Sequence, residues 1–113
     1  MHEMALAEGV REIVEETART HGATRVRSVR IEIGRLAPVD AAALRFAFEF
    51  VKRGSVADSA RLDVVDGEGS AWCMRCCEAV AISARGEPCP TCGHYQLQVT
   101  GGDGMRVLDV EIA

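Results

Sequence analysis

The stretch 71–95, AWCMRCCEAVAISARGEPCPTCGHY, decides how the rest of the chain is read. It holds two CxxC pairs, Cys73-Met74-Arg75-Cys76 and Cys89-Pro90-Thr91-Cys92, joined by the loop from Cys77 to Pro88. A CxxC pair grips a metal from one tight turn, and a short connection lets the second turn close over the first. Cys73, Cys76, Cys89 and Cys92 are therefore expected to hold one tetrahedral ion, with structural Zn(II) the expected metal. Cys77 follows Cys76 directly and reads as a spare thiol or a small apolar residue, not a fifth ligand. Four thiolates fill a zinc shell and leave no position for substrate or activated water. No nucleophile–base pairing or phosphate loop is visible elsewhere, so the chain reads as a non-enzyme.

Glycines bracket this segment: Gly67 and Gly69 before it, Gly101, Gly102 and Gly104 after it. Glycines at both ends read as flexible joints. Outside them the periodicity changes. Leu6, Val10, Ile13, Val14, Thr17 and Ala18 recur at helical spacing, Glu15 precedes Arg19 by four residues, and Gly22 is a left-handed stop, so residues 3–21 are expected to form an amphipathic helix. Val29, Ile31 and Ile33 alternate with Arg30 and Glu32 as in a half-buried strand. Pro38 and Asp40 open a second helix that runs to about Arg53, with Asp40 at the N-cap. Its apolar face is expected to be Ala43, Ala47, Phe50 and Val51, widened by Phe46 and Phe48, with Lys52 and Arg53 at the negative end of the dipole and Gly54 closing it. Leu62 and Val64 mark a second strand, and Leu108, Val110 and Ile112 a third. The expected fold is α+β: two helices on a small three-stranded mixed sheet, residues 1–68 and 103–113, with a zinc-ribbon-like domain, residues 69–102, inserted into it.

At 113 residues the chain is one compact unit or one domain with a small insertion. Hydrophobic residues make up 48% but aromatics only 4%, so the core is aliphatic and small, and a metal clip would stabilise the part that lacks a core of its own. Glu3, Glu8, Glu12, Glu15 and Glu16 rule out a secretory leader in the first helix, and no run is long and apolar enough to span a bilayer. Five cysteines then fit a reducing cytoplasm and metal chemistry better than a disulfide framework. A net charge of −4 argues against nucleic acid as a partner. Arg25, Arg27, Arg30 and Arg35 read as a solvated edge of the sheet.

The chain opens Met1-His2-Glu3. A free α-amine is a nitrogen donor, and the His2 imidazole can close a chelate ring with it. The backbone N–H groups in the first turn of a helix have no intrahelical acceptor. Ni(II) and Cu(II) favour tetragonal nitrogen and oxygen sites, whereas Zn(II) has no such preference. The Met1 amine, the His2 and Glu3 backbone nitrogens and the His2 ring can supply four nitrogens in a plane, with the Glu3 carboxylate outside it. Extending the chain ahead of Met1 should weaken such a site.

Met-His-Glu at the start, the amphipathic helix behind it, the phrase Glu32-Ile33-Gly34-Arg35-Leu36 followed by Asp40, and the two knuckles together resemble the HypA/HybF family, nickel metallochaperones of [NiFe]-hydrogenase maturation. The resemblance covers essentially the whole chain. It implies that His2, with the Met1 amine and Glu3, binds transient Ni(II), that Asp40 approaches as an auxiliary ligand, and that Cys73, Cys76, Cys89 and Cys92 hold structural Zn(II). It makes residues 1–68 and 103–113 the nickel-binding domain. It implies the GTPase HypB and the hydrogenase large subunit as partners, with urease maturation proteins as a further set, and a monomer or weak homodimer. The chain departs from one family variant in which a histidine directly follows a CxxC pair: Cys77 stands after the first pair, Gly93 and then His94 after the second.

Two other readings compete. A nucleic-acid-binding zinc ribbon has Trp72 and Tyr95 to stack bases, but Arg75 and Arg85 are offset by Glu78 and Glu87, four thiolates on Zn(II) add negative charge, and both rings are expected to pack over the ribbon instead. A rubredoxin-like electron carrier is similar at Cys89-Pro90-Thr91-Cys92-Gly93, but Cys77 fills the place where the first knuckle would carry glycine.

Overall fold

A computed structural model describes residues 2–113. Two helices and six strands follow in the order α1 (Glu3–Thr20), β1 (Val26–Gly34), α2 (Ala41–Val51), β2 (Arg61–Gly67), β3 (Gly69–Cys73), β4 (Glu78–Ile82), β5 (Leu97–Gly101) and β6 (Met105–Ile112). The chain divides into two compact units. One is Met1–Ile31, Val39–Val65 and Val107–Ala113; the other is Glu32–Pro38 and Asp66–Arg106.

In the first unit the helical period does what the sequence requires. Ala7, Val10, Val14 and Ala18 are buried along α1. Gly22 adopts φ 65° and closes the helix, with the Gly22 N–H donating to Arg19 and the Ala23 N–H to Ala18. The ion pairs fall one turn away from the expected Glu15–Arg19 pair: Arg19 meets Glu16, and Glu15 meets Arg11 at 3.6 Å. Packing of the Arg11 stem toward α2 explains this, since its Nη1 also donates to the Val51 carbonyl at 3.4 Å. Parallel packing of α1 and α2 follows from that bond together with a second one. The Asp40 backbone N–H donates to the Glu3 carboxylate at 3.2 Å, so residue 3 meets residue 40 and residue 11 meets residue 51.

The buried face of α2 is not the one expected. Leu44, Ala47 and Phe48 are buried, whereas Phe46 is 78% and Phe50 59% exposed. Leu44 and Phe48 are four apart and point to the same side as Ala47, so the true stripe runs 44–47–48–51. Phe50 lies too far round the helix to join it. The helix stops at Val51, and Lys52 turns aside to donate to the Ala60 carbonyl and to Glu49, both at 2.9 Å.

β1 is the middle strand of the sheet β2-β1-β6. Hydrogen bonds at its two ends set the directions. The Val26 N–H donates to Val56 and the Arg35 N–H to Gly67, which makes β1 and β2 parallel with α2 as their crossover. The Ala113 N–H donates to Arg25 and the Gly34 N–H to Gly104, which makes β6 antiparallel to β1. The sheet is mixed, as its connections require. The arginines of β1 therefore do not guard an edge. Arg30 is bonded to Asp109 of β6 at 2.6 Å, and Arg27 lies 3.9 Å from Glu111. They are cross-strand pairs on the exposed side of a central strand.

In the second unit β3 is the middle strand of an antiparallel sheet, β4-β3-β5, with Trp72 opposite Ala79 and Gln98. Strand alternation sends Ala71, Val80, Ile82, Leu97 and Val99 to one side, where they pack with Leu36 as a small aliphatic core. Trp72 faces the other way and is half exposed, so its ring does not cover this core, whereas Tyr95, 71% exposed, lines a cleft with Ile82, Leu97 and Val99 at the core's edge. Two of the glycines expected to be flexible joints have a different cause. A Cβ on Gly69 would lie 2.4 Å from the Ile82 carbonyl oxygen, and one on Gly102 would lie 2.4 Å from the Glu68 carbonyl oxygen. Backbones cross there at distances that only a missing side chain permits.

Candidate metal centre

The end of β3 and the turn after it supply the first knuckle. Cys73 is the last residue of β3, and the Cys77 N–H donates back to the Cys73 carbonyl at 2.8 Å. The second knuckle is the same turn without a strand ahead of it: the Gly93 N–H donates to the Cys89 carbonyl at 2.8 Å. In each knuckle the residue after the second cysteine is left-handed, Gly93 at φ 77° and Cys77 at φ 55°. Cys77 is the single non-glycine residue with positive φ among those described, and its exposed side chain points away from the other sulfurs toward the Met74 carbonyl, 3.7 Å off.

These turns bring Cys73, Cys76, Cys89 and Cys92 together, with all four sulfurs within 4.8 Å of one another. The Cys73–Cys92 separation is 3.7 Å and Cys76–Cys89 is 4.0 Å. A tetrahedron with metal–sulfur bonds of about 2.3 Å has edges of about 3.8 Å, so the sulfurs stand at the spacing one bound ion demands. Cys73 and Cys89 are buried, while Cys76 and Cys92 are partly open. Backbone amides reach both buried sulfurs: the Cys76 N–H donates to Cys73 Sγ at 3.3 Å and the Thr91 N–H to Cys89 Sγ at 3.4 Å. At Cys89 the Cys92 N–H acts first and Thr91 second, and against burial they bring the thiol down to about 7. Cys76 goes the other way. The neighbouring Cys92 thiol and burial push it well up, because a proton is needed between sulfurs so close. A divalent ion would take the place of those protons, and four sulfurs with no water position would give it a structural role. His94 is exposed and outside this group; it contributes its carbonyl, which accepts the Cys89 N–H at 2.7 Å.

The other candidate residues meet at the start of α1 and α2. His2 occupies the N-cap of α1, is exposed, and makes no side-chain capping bond; its carbonyl accepts the Leu6 N–H at 2.9 Å. Glu3 is 9% exposed, unusual for a carboxylate, and its Oε2 accepts the Asp40 N–H. Hydrogen bonding to the amino terminus lowers it most, the Asp40 N–H next and its own backbone N–H after that, and together they hold its carboxyl down at about 2. Asp40 is the N-cap of α2, its Oδ1 accepting from the Ala42 and Ala43 N–H groups at 3.0 and 3.2 Å. The expectation for the Met1 amine lies outside the described residues. The Glu3–Asp40 bond is the contact that the sequence did not reveal. The two residues are 37 positions apart, and only the parallel packing of α1 and α2 joins them.

Residues 1–112 match the family model described as "Hydrogenase/urease nickel incorporation, metallochaperone, hypA". The hydrogenase maturation factor HypA of Dechloromonas aromatica (strain RCB) is 50% identical over 112 residues, 99% of each chain. That of Azoarcus sp. (strain BH72) is 53% identical over 112 residues, 99% of this chain and 98% of the other. The solution structure of the Ni metallochaperone HypA from Helicobacter pylori superposes with a TM-score of 0.74 at 28% identity, covering 99% of this chain and 97% of that one. The match to the family model and to these relatives runs from end to end, and the chain belongs to the HypA family of hydrogenase maturation factors.

Proposed function

We propose that the protein is a nickel metallochaperone that carries Ni(II) at its amino terminus and delivers it during [NiFe]-hydrogenase maturation. The observation that carries this reading is the seat of Glu3. A carboxylate is buried at the first residue of α1 and fixed by the Asp40 N–H, next to an exposed His2 at the N-cap. Such an arrangement steadies the first turn while leaving the exposed His2 ring without a capping bond and so open to a metal. Ni(II), the cargo, would be held by the Met1 amine, the His2 ring and the backbone nitrogens of His2 and Glu3, a donor set of the tetragonal kind nickel prefers. Glu3 adds negative charge beside it. Asp40 acts first by seating Glu3, and Oδ2 is the atom through which it would reach a metal. Uptake requires loss of protons from the imidazole and the amides, so affinity should rise with pH.

Cys73, Cys76, Cys89 and Cys92 would hold Zn(II) permanently and keep residues 69–102 folded as a ribbon domain, apart from the nickel-binding domain of residues 1–68 and 103–113. The work is transfer, not catalysis. The GTPase HypB would be the first partner and the hydrogenase large subunit the recipient, with urease maturation proteins a further set. No helix among the described residues is long and apolar enough to cross a membrane, and we place the protein in the cytoplasm, as a monomer or weak homodimer.

Metal analysis of untagged protein followed by nickel titration tests this. One zinc per chain and a nickel site lost in His2→Ala are expected. A chain that is red with iron, or one whose nickel uptake ignores His2, would overturn it.

A further inference from the structure

Two of the three phenylalanines of this chain are spent on solvent. Phe46 and Phe50 stand one turn apart on α2, 78% and 59% exposed, in a chain with few aromatics. Folding gives no reason for this, because Leu44, Ala47 and Phe48 already supply the buried face. The Arg53 guanidinium lies over the Phe50 ring at 5.4 Å. The nearby Glu49 is taken by Lys52 at 2.9 Å, so Arg53 has no carboxylate partner among the described residues. Exposed aromatics beside an arginine are the composition of an interface core rather than of ordinary surface.

We propose that this flank of α2, Phe46 and Phe50 with Arg53, is where the protein that exchanges nickel with this chain docks, presenting aliphatic side chains ringed by carboxylates. The proposal rests on the nickel-carrying reading above. Charge decides the occupant. The chain as a whole carries −4, yet this flank offers an unpaired cation beside its rings, so an acidic surface fits it. A second copy fits poorly, since a two-fold pairing of α2 brings Arg53 against a face whose one nearby carboxylate, Glu49, is already taken by Lys52. Position suits delivery. Asp40, whose N–H seats Glu3, and Phe46 are six residues apart, about 9 Å along the helix. A partner on Phe46 therefore lies within two helical turns of the residue that seats Glu3.

Binding of zinc-loaded, nickel-free protein to purified HypB would be compared for wild type, Phe46→Ala/Phe50→Ala and Arg53→Glu. The double variant should bind at least about tenfold more weakly. Arg53→Glu should bind several-fold more weakly and with less sensitivity to salt. Melting temperature, zinc content and His2-dependent nickel uptake should not change. Equal HypB binding by all three proteins, no binding by the wild type, or wild-type self-association that the double variant abolishes would each overturn the proposal. Because nickel uptake is read separately, failure of docking and failure of the amino-terminal site are distinguishable.

Discussion

Cys77 occupies the position in its knuckle that Gly93 occupies in the other, with the same backbone bond and the same sign of φ. A side chain in that region costs roughly 1 kcal/mol or more that glycine does not. Cys77→Gly should therefore raise the stability of the zinc-loaded protein by about 1 kcal/mol, read as a higher melting temperature; a decrease would mean that the thiol makes a contact that outweighs the strain. Glu3 makes a pH prediction. Its carboxyl is held at about 2 instead of the ordinary 4.5, so its contribution to stability is present above 4.5 and is lost as pH falls from there toward 2. Urea melts of wild type and Glu3→Gln should converge across that interval and stay separate above it. At this scale the grouping of Cys73, Cys76, Cys89 and Cys92 was legible because both knuckles are local, each closed by a bond across four residues. The Glu3 seat was not, because it depends on a tertiary contact that leaves no local pattern.

α2 shows how an element can be recognised and still be turned the wrong way. Its cap Asp40, its length and its amphipathic character follow from residues 38–54, but two overlapping apolar stripes are present and only packing chooses between them. Leu44 and Phe48 went in; Phe46 and Phe50 stayed out. Phe48→Ala should cost about 3–5 kcal/mol as a cavity in the core, whereas Phe46→Ala should change stability by less than about 0.5 kcal/mol. Chemical denaturation of the two variants separates these outcomes, and similar losses for both would reverse the assignment of faces. The arginines of β1 teach the same lesson for strands. Alternation identified the strand but not its neighbours, and strand order depends on the α2 crossover and on the return of β6. Gly69 and Gly102 were read as flexible joints, although both are needed where one backbone passes against another, as Gly34 is.

For the whole molecule, α+β architecture with an inserted ribbon was readable because composition and period change together around the cysteines. The account divides metal chemistry between two donor sets of different character. Sulfur from two identical turns suits a resident ion, and nitrogen at the front of α1 suits one that must leave. That separation makes the two metals independent in a way that can be measured. Nickel titration of the zinc-loaded protein, with and without one extra residue ahead of Met1, is the most direct test. The account predicts that the extended protein keeps its zinc and its fold while nickel binding is abolished or strongly weakened; an extended protein that binds nickel as the original does would contradict it.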